Sequence, residues 1–458
     1  MSATHNKMAV MPIHKLLMNM GGLMMISMLG QALYNVVDSY FVSHMADTNT
    51  ITSMGDKAVN ALTLAFPIQM LIIALGVGTG VGINAGLAHC LGRKDRKRAS
   101  YTAGNAIFLS LCYYLVILAF GLFGAKAFIE SQSHNQVINQ MAIIYLQIIT
   151  IGSFGALFDM CLEKIIMASG NTFITMIAQL AGAITNIILD PIMIYGWLGF
   201  PQMGIAGAAI ATVIGQIVSL VIIVLMYIRH NHDVDKQWHY YQPQASIIKE
   251  IYVVGAPAIL MQALTSFMTY GMNIILGSIS VSAVTAYGIY YKLQNFIFMP
   301  AYGLNNASIP IIAYNKGAHQ YERIKETIKY GLIDVTFIMV AGIILLQCFP
   351  QAIVSSFSLS ADSQRLCIFA LRIITFGFIF TGFNIILQGV CQALGNGIYS
   401  LLISMLRMLI VVLPLAYLLS GLADGELFVW LAIPIAEMIA CGAAIYLTRK
   451  LYRLKTTS

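Results

Sequence analysis

Apolar residues run along this chain in stretches of about 20 to 30, separated by short polar segments. A helix needs about 20 apolar residues to cross a hydrocarbon layer about 30 Å thick. Twelve stretches meet that length: 14–43, 58–89, 100–122, 137–166, 171–195, 203–228, 247–276, 283–313, 327–349, 365–391, 397–419 and 427–449. The short alternating strands of a membrane β-barrel are not visible. The pattern predicts an all-α polytopic membrane protein with twelve transmembrane helices.

Composition agrees. Of 458 residues, 59% are hydrophobic and 9% charged, with a mean hydropathy of +0.80. Soluble domains carry roughly 25% charged residues, so a soluble enzyme, a nucleic-acid binder and a disordered scaffold are excluded for the chain as a whole. The seven cysteines form no C-x-x-C pair and their number is odd, which argues against a disulfide framework or a zinc site. The amino terminus is polar, and the apolar run after it is too long for a signal-peptide core, so it reads as a retained first span.

Charge sets the expected orientation. With the amino terminus inside, nineteen of the 25 lysines and arginines fall in cytoplasmic segments, including Arg93, Lys94, Arg96, Lys97 and Arg98. The outer loops hold three, Lys57, Lys126 and Arg365, and Lys292, Arg372 and Arg407 lie within spans. Positive charge retained inside predicts that both termini are cytoplasmic. The formal net charge of +7 therefore belongs to one membrane face and does not call for nucleic acid.

The chain also repeats itself. At an offset of 225 residues, ITIGSFGALFDMCLEKIIMASGN (149–171) lies over ITFGFIFTGFNIILQGVCQALGN (374–396), with eight of 23 positions identical. Six spans per half is an even number, so the halves share one orientation, as in parallel repeats. The expected organisation is a cytoplasmic segment 1–13, a first lobe 14–228, a polar cytoplasmic linker 229–246, a second lobe 247–449 and a cytoplasmic tail 450–458. Asp159 and Glu163 lie over Asn384 and Gln388, and Asn186 and Asp190 over Val411 and Leu415. Ionisable chemistry is concentrated in the first lobe. The second keeps a neutral stripe of Gln262, Ser266, Thr269 and Asn273. Two lobes around a midplane cavity suit alternating access, with the driving ion bound in the first.

Six acids fall within spans: Asp38, Asp159, Glu163, Asp190, Asp334 and Glu437. Each costs roughly 2.5–3.5 kcal/mol at mid-membrane, so each needs a partner, a proton or a cavity. Asp38 and Asp190 sit at similar depth near the outer ends of spans 1 and 5, with Asn186 one turn inward and Thr212 deeper on span 6. Gln31 and Tyr34 share a face with Asp38, and Gln179 shares one with Asn186. Hard oxygen ligands suit sodium, whereas two close carboxylates can share a proton. The alternative for Asp190 is a helix-end anchor before Pro191. Asp159 and Glu163 read either as a second proton station or as partners of Lys164 or the basic loop, and Asp334 and Glu437 as structural.

Other features have plain readings. The 26 methionines fit packing or lipid contact as well as a drug cavity. His230, His232 and His239 fit a solvated linker, and the GVGTGVG run at 76–82 fits close helix approach rather than phosphate binding. Tyr287, Tyr290 and Tyr291 either pack or stack on a planar substrate.

The segments YNVVDSYFVSHM (34–45), GRKDRKRA (92–99), ASGN (168–171), NIILDPIMIYG (186–196), GIAGAAIATVIGQ (204–216) and AYNKGA (313–318) carry a resemblance. Over residues 10–450 the chain resembles multidrug and toxic compound extrusion (MATE) transporters, in particular their MepA-type and DinF-type bacterial branch. The resemblance implies a V-shaped pair of six-helix lobes in the cytoplasmic (inner) membrane. It also implies antiport, in which organic, often aromatic cations leave as protons or sodium ions enter. The family's first-lobe ion site falls here on Asp38, Asn186, Asp190 and Thr212. Gln31, Tyr34, Gln179, Asp159 and Glu163 support it, and Gln262, Thr269, Asn273, Tyr287, Asn384 and Gln388 are candidates for a substrate cavity. No cofactor is expected beyond the coupling ion, and the protein is expected to work as a monomer among membrane lipids. Acids that some relatives carry in spans 7 and 10 are replaced here by neutral residues.

Two other functions remain to be weighed. A lipid-linked oligosaccharide flippase of related fold would favour a basic cavity, for which Lys292, Arg372 and Arg407 are the candidates. An intramembrane enzyme would need a constellation such as H-E-x-x-H or a protease aspartate pair, and neither is present. The charge bias gives a direct test of topology. In a cysteine-free background, Lys94→Cys should react with a membrane-impermeant thiol reagent from inside only, and Lys57→Cys from outside only. Labelling of position 94 from outside would reverse the assignment.

Overall fold

The computed structural model describes residues 6–45, 54–133, 135–230, 233–355, 357 and 361–456. Among them there is no strand, and His232 of the predicted linker lies outside them. The membrane helices are α1 (Ile13–Ser43), α2 (Met54–Gly92), α3 (Arg96–Glu130), α4 (Gln136–Ile151 with Ser153–Ala168), α5 (Thr172–Tyr195) and α6 (Ile205–His230). They continue with α7 (Ala245–Gly277), α8 (Val281–Gly317), α9 (Tyr321–Cys348), α10 (Ala361–Ala393), α11 (Gly397–Ser420) and α12 (Gly425–Arg453). Each coincides with one of the twelve apolar runs. Several outrun it: α9 starts six residues earlier, because a helix that leaves the hydrocarbon continues into water on residues such as Glu322 and Lys325.

Several helices are interrupted in ways apolar length does not reveal. In α4 the axis bends by 42° at Gly152. There the Thr150 hydroxyl donates to the Leu146 carbonyl at 2.6 Å and the Ser153 hydroxyl to the Thr150 carbonyl at 2.7 Å. Hydroxyls bonded back to the preceding turn bend helices in this way. π-Helical segments interrupt α3 at Phe120–Gly124 and α11 at Leu406–Ile410. Side chains such as Phe123, Val116, Phe337 and Phe376 are exposed, as expected where the solvent is lipid.

The helices gather into two compact units. The N-unit comprises Leu29–Leu91 and Asp95–Ile251, and the C-unit comprises Met1–Met28, Gly92–Lys94 and Tyr252–Ser458. The chain therefore changes unit inside α1 and inside α7, and Gly92–Lys94 at the short connection between α2 and α3 belongs to the C-unit. In the C-unit the short helix Lys7–Val10 is fastened by Arg323, whose Nη2 donates to the carbonyls of Met8 and Met11 at 2.9 and 2.8 Å. In the N-unit the linker is docked rather than free. Asn105 on α3 donates to the Gln242 carbonyl at 3.2 Å and accepts from the Gln244 amide at 2.7 Å. The Ser100 hydroxyl accepts from the Asp235 amide at 2.8 Å, and the His239 ring lies 3.9 Å from that of Tyr240. Lys236 donates to the Tyr227 and Ile228 carbonyls, and its partial desolvation lowers its pKa from the ordinary lysine value.

The glycine-rich run of α2 works as a packing surface. A Cβ at Gly80 would stand 2.8 Å from Lys164 Cγ of α4, and one at Gly76 would collide with Met160. Small residues there let α4 lie against α2. The docked linker generates a prediction. Asn105→Leu leaves the Gln242 carbonyl and Gln244 amide unpaired, at a cost of about 1–3 kcal/mol each. Limited trypsin digestion in detergent should then cut at Lys236 or Lys249 several times faster than in the wild type, and an unchanged rate would show that the dock does not depend on Asn105.

Candidate functional site

The four cation-coupling candidates all lie in the N-unit. Asp38 is five residues from the end of α1, about 7 Å of helix. Asn186 and Asp190 are one turn apart on α5, and Thr212 lies on α6. Asn186 joins the last three: its Nδ2 donates to Asp190 Oδ1 at 3.2 Å and to Thr212 Oγ1 at 3.4 Å. The Thr212 hydroxyl in turn donates to the Ala208 carbonyl at 3.0 Å. One amide thus ties the carboxylate of its own helix to the neighbouring helix. Asp38 and Asp190 lie within coulombic reach of each other, and of the hydroxyls of Tyr34 and Tyr145.

Two local features make this meeting possible. A Cβ at Gly182 would stand 2.8 Å from the Gly215 carbonyl oxygen, and one at Gly215 would stand 2.7 Å from that of Gly182. Only residues without a side chain let α5 and α6 approach so closely one turn from Asn186. Pro191, directly after Asp190, has no N–H, so the Ile187 carbonyl loses its helical donor and the backbone beside the site becomes more polar.

Asp190 is fully buried and Asn186 is 2% exposed, yet Asp38 Oδ1, Asn186 Oδ1 and Asp190 Oδ2 have no hydrogen-bond partner. Buried acceptors are nearly always satisfied. Three unsatisfied oxygens around two carboxylates form a donor set with an affinity for something positive, whether a proton or a hard cation. Among the described residues no group of three or more His, Cys, Asp or Glu side chains could hold a metal ion. The set is thus carboxylate, amide and hydroxyl oxygen.

The supporting residues divide. Gln31 and Tyr34 are half-buried on the N-unit part of α1. Asp159, Glu163 and Gln179 form a second polar centre. There the Ser219 hydroxyl donates to Asp159 Oδ1 at 2.8 Å, and Gln179 Nε2 donates to Glu163 Oε2 at 2.7 Å. Lys164 Nζ lies 3.3 Å from Glu163 Oε1, with both residues 4% exposed. Of the two partners weighed for Glu163, the structure supplies Lys164. Arg96 and Arg98 of the basic loop instead pair with Asp235 and Glu250.

In the C-unit, Gln262 and Asn273 are exposed on α7, whereas Tyr287, Asn384 and Gln388 are buried. Thr269 lies beside the Tyr287 hydroxyl, and Tyr290 is 3% exposed with its ring 6.0 Å from that of Tyr287. The polar residues of this unit thus split between an exposed face and a packed interior. Arg407, one of the basic residues weighed for phosphate, is spoken for. Its Nε and Nη2 donate to Glu437 Oε1 at 2.9 and 2.6 Å, and Asn384 Nδ2 donates to Glu437 Oε2 at 2.7 Å.

Sequence reasoning missed two sets of residues. Tyr145, with its hydroxyl held by Gln69 Nε2 at 2.8 Å, joins the electrostatics of Asp38 and Asp190 from α4. An apolar run with one tyrosine gives no sign of that. The Arg407–Glu437 pair did leave a sign, since two opposite charges fall mid-span in consecutive helices.

Twelve helices long and apolar enough to cross a membrane, counting the bent α4 as one, and an internal repeat define a polytopic membrane protein. The sequence model of the family described as MatE matches residues 24–192 and 257–418. The chain belongs to this family, the MATE multidrug efflux transporters, whose members are transporters rather than enzymes. It is 26% identical over 450 residues to the multidrug export protein MepA of Staphylococcus aureus (strain MSSA476), covering 96% of this chain and 94% of that protein. With MepA of Staphylococcus saprophyticus the identity is 25% over 429 residues, covering 93% and 92%. A multidrug resistance MATE transporter of the MOP superfamily, solved in an outward-facing conformation, superposes with a TM-score of 0.92 at 25% identity over 100% of both chains. A MOP superfamily transporter from Pyrococcus furiosus Vc1, described as having a binding pocket of reversed polarity that suggests a different function, superposes at 0.90, also at 25% identity over 100% of both chains.

The geometry of the Asn186 amide generates a further prediction. Asn186→Leu removes the donor that Asp190 and Thr212 share, at a cost of about 1–3 kcal/mol. The thermal unfolding midpoint should fall by several degrees, while Ile188→Ala on the exposed face of the same helix leaves it nearly unchanged. Equal effects from the two variants would show that the amide bonds contribute nothing particular.

Proposed function

We propose that the protein exports organic, often aromatic cations across the cytoplasmic membrane in exchange for protons or sodium ions entering from outside. Both termini lie in the cytoplasm, and access to the substrate alternates between the two faces. The observation that carries this reading is the set of unpartnered oxygens on Asp38, Asn186 and Asp190 in one unit. The multidrug-export description of the MepA relatives supports the substrate class.

In this reading Asp38 is the coupling carboxylate. Its place about one turn from the outer end of α1 suits an ion arriving from outside, and Asp190, Asn186 and Thr212 supply the remaining oxygens. Asp159 and Glu163 are held by Ser219, Gln179 and Lys164, and keep the N-unit polar toward the inner side. Gln262, Thr269 and Asn273 of the C-unit contact substrate. Each unit charge entering down 100 mV supplies about 2.3 kcal/mol, roughly a fiftyfold concentration ratio. One ion exchanged for one monovalent cation moves no net charge, so that stoichiometry draws on the ion's chemical gradient alone.

Asp38→Asn keeps the shape of the side chain and removes its charge. In proteoliposomes with separately imposed proton and sodium gradients, the wild type should drive uphill efflux under one of the two, which identifies the ion. The Asp38→Asn protein should insert normally and bind drug, yet build no gradient under either. Uphill efflux at the wild-type rate by the variant would make the carboxylate structural and overturn the assignment.

A further inference from the structure

The 225-residue repeat places a second pair of positions in correspondence. Ile210-Ala211-Thr212 lies over Ile435-Ala436-Glu437, and Ile214 lies over Ile439. Glu437 thus occupies in the C-unit the place that Thr212 holds in the candidate ion site of the N-unit. Arg407 lies over Gly182, and Ala440 over Gly215. These are the two glycines that let α5 and α6 touch backbone to backbone. Where the N-unit closes that gap, the C-unit fills it with a guanidinium.

The centre is built as a cation site. Glu437 lies twelve residues from the start of α12, about 18 Å of helix, and Arg407 ten residues from the start of α11, about 15 Å. Both are therefore deep in the membrane. Glu437 Oε1 takes two N–H bonds from Arg407, Oε2 takes one from Asn384, and the Glu437 carbonyl takes another from Asn384 at 3.0 Å. The Tyr302 hydroxyl of α8 lies beside Arg407. Asn384 Oδ1 and Ser404 Oγ are buried nearby on α10 and α11, without partners. Arg407 itself sits in the π-helical segment Leu406–Ile410. Such bulges re-aim a side chain and recur at functional sites.

We propose that the Glu437 centre is a cation site of the C-unit, sharing one repeat position with the N-unit site and occupied by the chain's own guanidinium. Arg407 acts as a tethered cation that excludes inorganic ions, and the cavity it fills recognises guanidinium-type cations. The inference rests on the reading of the N-unit as the ion site. It explains why Glu437 does not act as a second coupling carboxylate: it is already neutralised by an ion that cannot leave.

Arg407→Ala should leave Glu437 buried and unpaired, and lower the apparent Tm of the purified protein by roughly 5–15 °C. Millimolar guanidinium or methylguanidinium should restore at least half of that loss, whereas sodium or tetramethylammonium chloride at equal concentration should not. The double variant Arg407→Ala/Glu437→Gln should show no such rescue. Absence of rescue, equal rescue by sodium, or rescue persisting in the double variant would overturn the proposal. If Arg407→Ala alone does not fold, the double variant should still be recovered, because no unpaired ion remains; failure of both would reduce the pair to scaffold and also overturn it. The readout is stability, not transport, so its failure is separable from failure of the Asp38 assignment.

Discussion

A hydrocarbon layer offers no water to a polar group, and every feature of this protein that bears on function follows from that constraint. A charge left unpaired in such a medium is expensive, and a backbone amide without a partner costs several kcal/mol. The chain therefore satisfies its backbone within helices and satisfies most of its buried side chains pairwise. Lys164 meets Glu163, Arg407 meets Glu437, and Asp159 meets Ser219. Against that background the few buried groups left unsatisfied stand out. Among them, Asp38, Asn186 and Asp190 of the N-unit each keep a buried oxygen without a partner, and they are set apart by lying together, two carboxylates within coulombic reach of each other beside an amide.

The close approach of α5 and α6 turns that exception into a site. Gly182 and Gly215 remove the side chains that would hold the helices apart, and the distance this gains is what allows Asn186 to reach Thr212. The same amide reaches Asp190 one turn along its own helix. An ion entering here would meet oxygens fixed on two packed helices, with Asp38 contributed by a third. Fixed ligands lower the reorganisation that binding would otherwise require. Two buried carboxylates within coulombic reach of each other cannot both keep their charge without compensation, and in the proposed function one bound cation supplies it.

Much of this was legible in the residues. Hydrophobic run length located twelve helices, because apolar length is what the membrane demands. The repeat was visible because Gly, Asn and aromatic positions at the ends of α4 and α10 were kept in both halves. Asp38 and Asp190 could be named because acids inside apolar runs are rare, and Asn186 and Thr212 because they fall at compatible depth on the same lobe and match the family's motif. What the sequence did not carry were relations across helices. The bend at Gly152 depends on hydroxyls choosing backbone carbonyls, and the π-helical turn at Leu406–Ile410 has no composition of its own. Tyr145 reaches the carboxylates only through the packing of α4, and the docking of the linker on Asn105 depends on backbone groups that every residue has.

The two halves solve one electrostatic problem in different ways, and the difference bears on how work is divided. A buried carboxylate with a covalently tethered partner has one stable state, since separating the pair leaves two uncompensated charges. A buried carboxylate with only neutral hydrogen-bond partners has two, one with a bound cation and one without. An exchanger needs at least one centre of the second kind to respond to an ion gradient, and gains nothing from a second centre that responds in parallel without a matching substrate step. With Glu437 held by Arg407, that centre is of the first kind, and in the proposed function the exposed neutral stripe on α7 contacts substrates by shape and hydrogen bonding without competing for the coupling ion. Duplication supplied two equivalent positions; one was left neutral within an open oxygen set, and the other became a carboxylate with its own counterion.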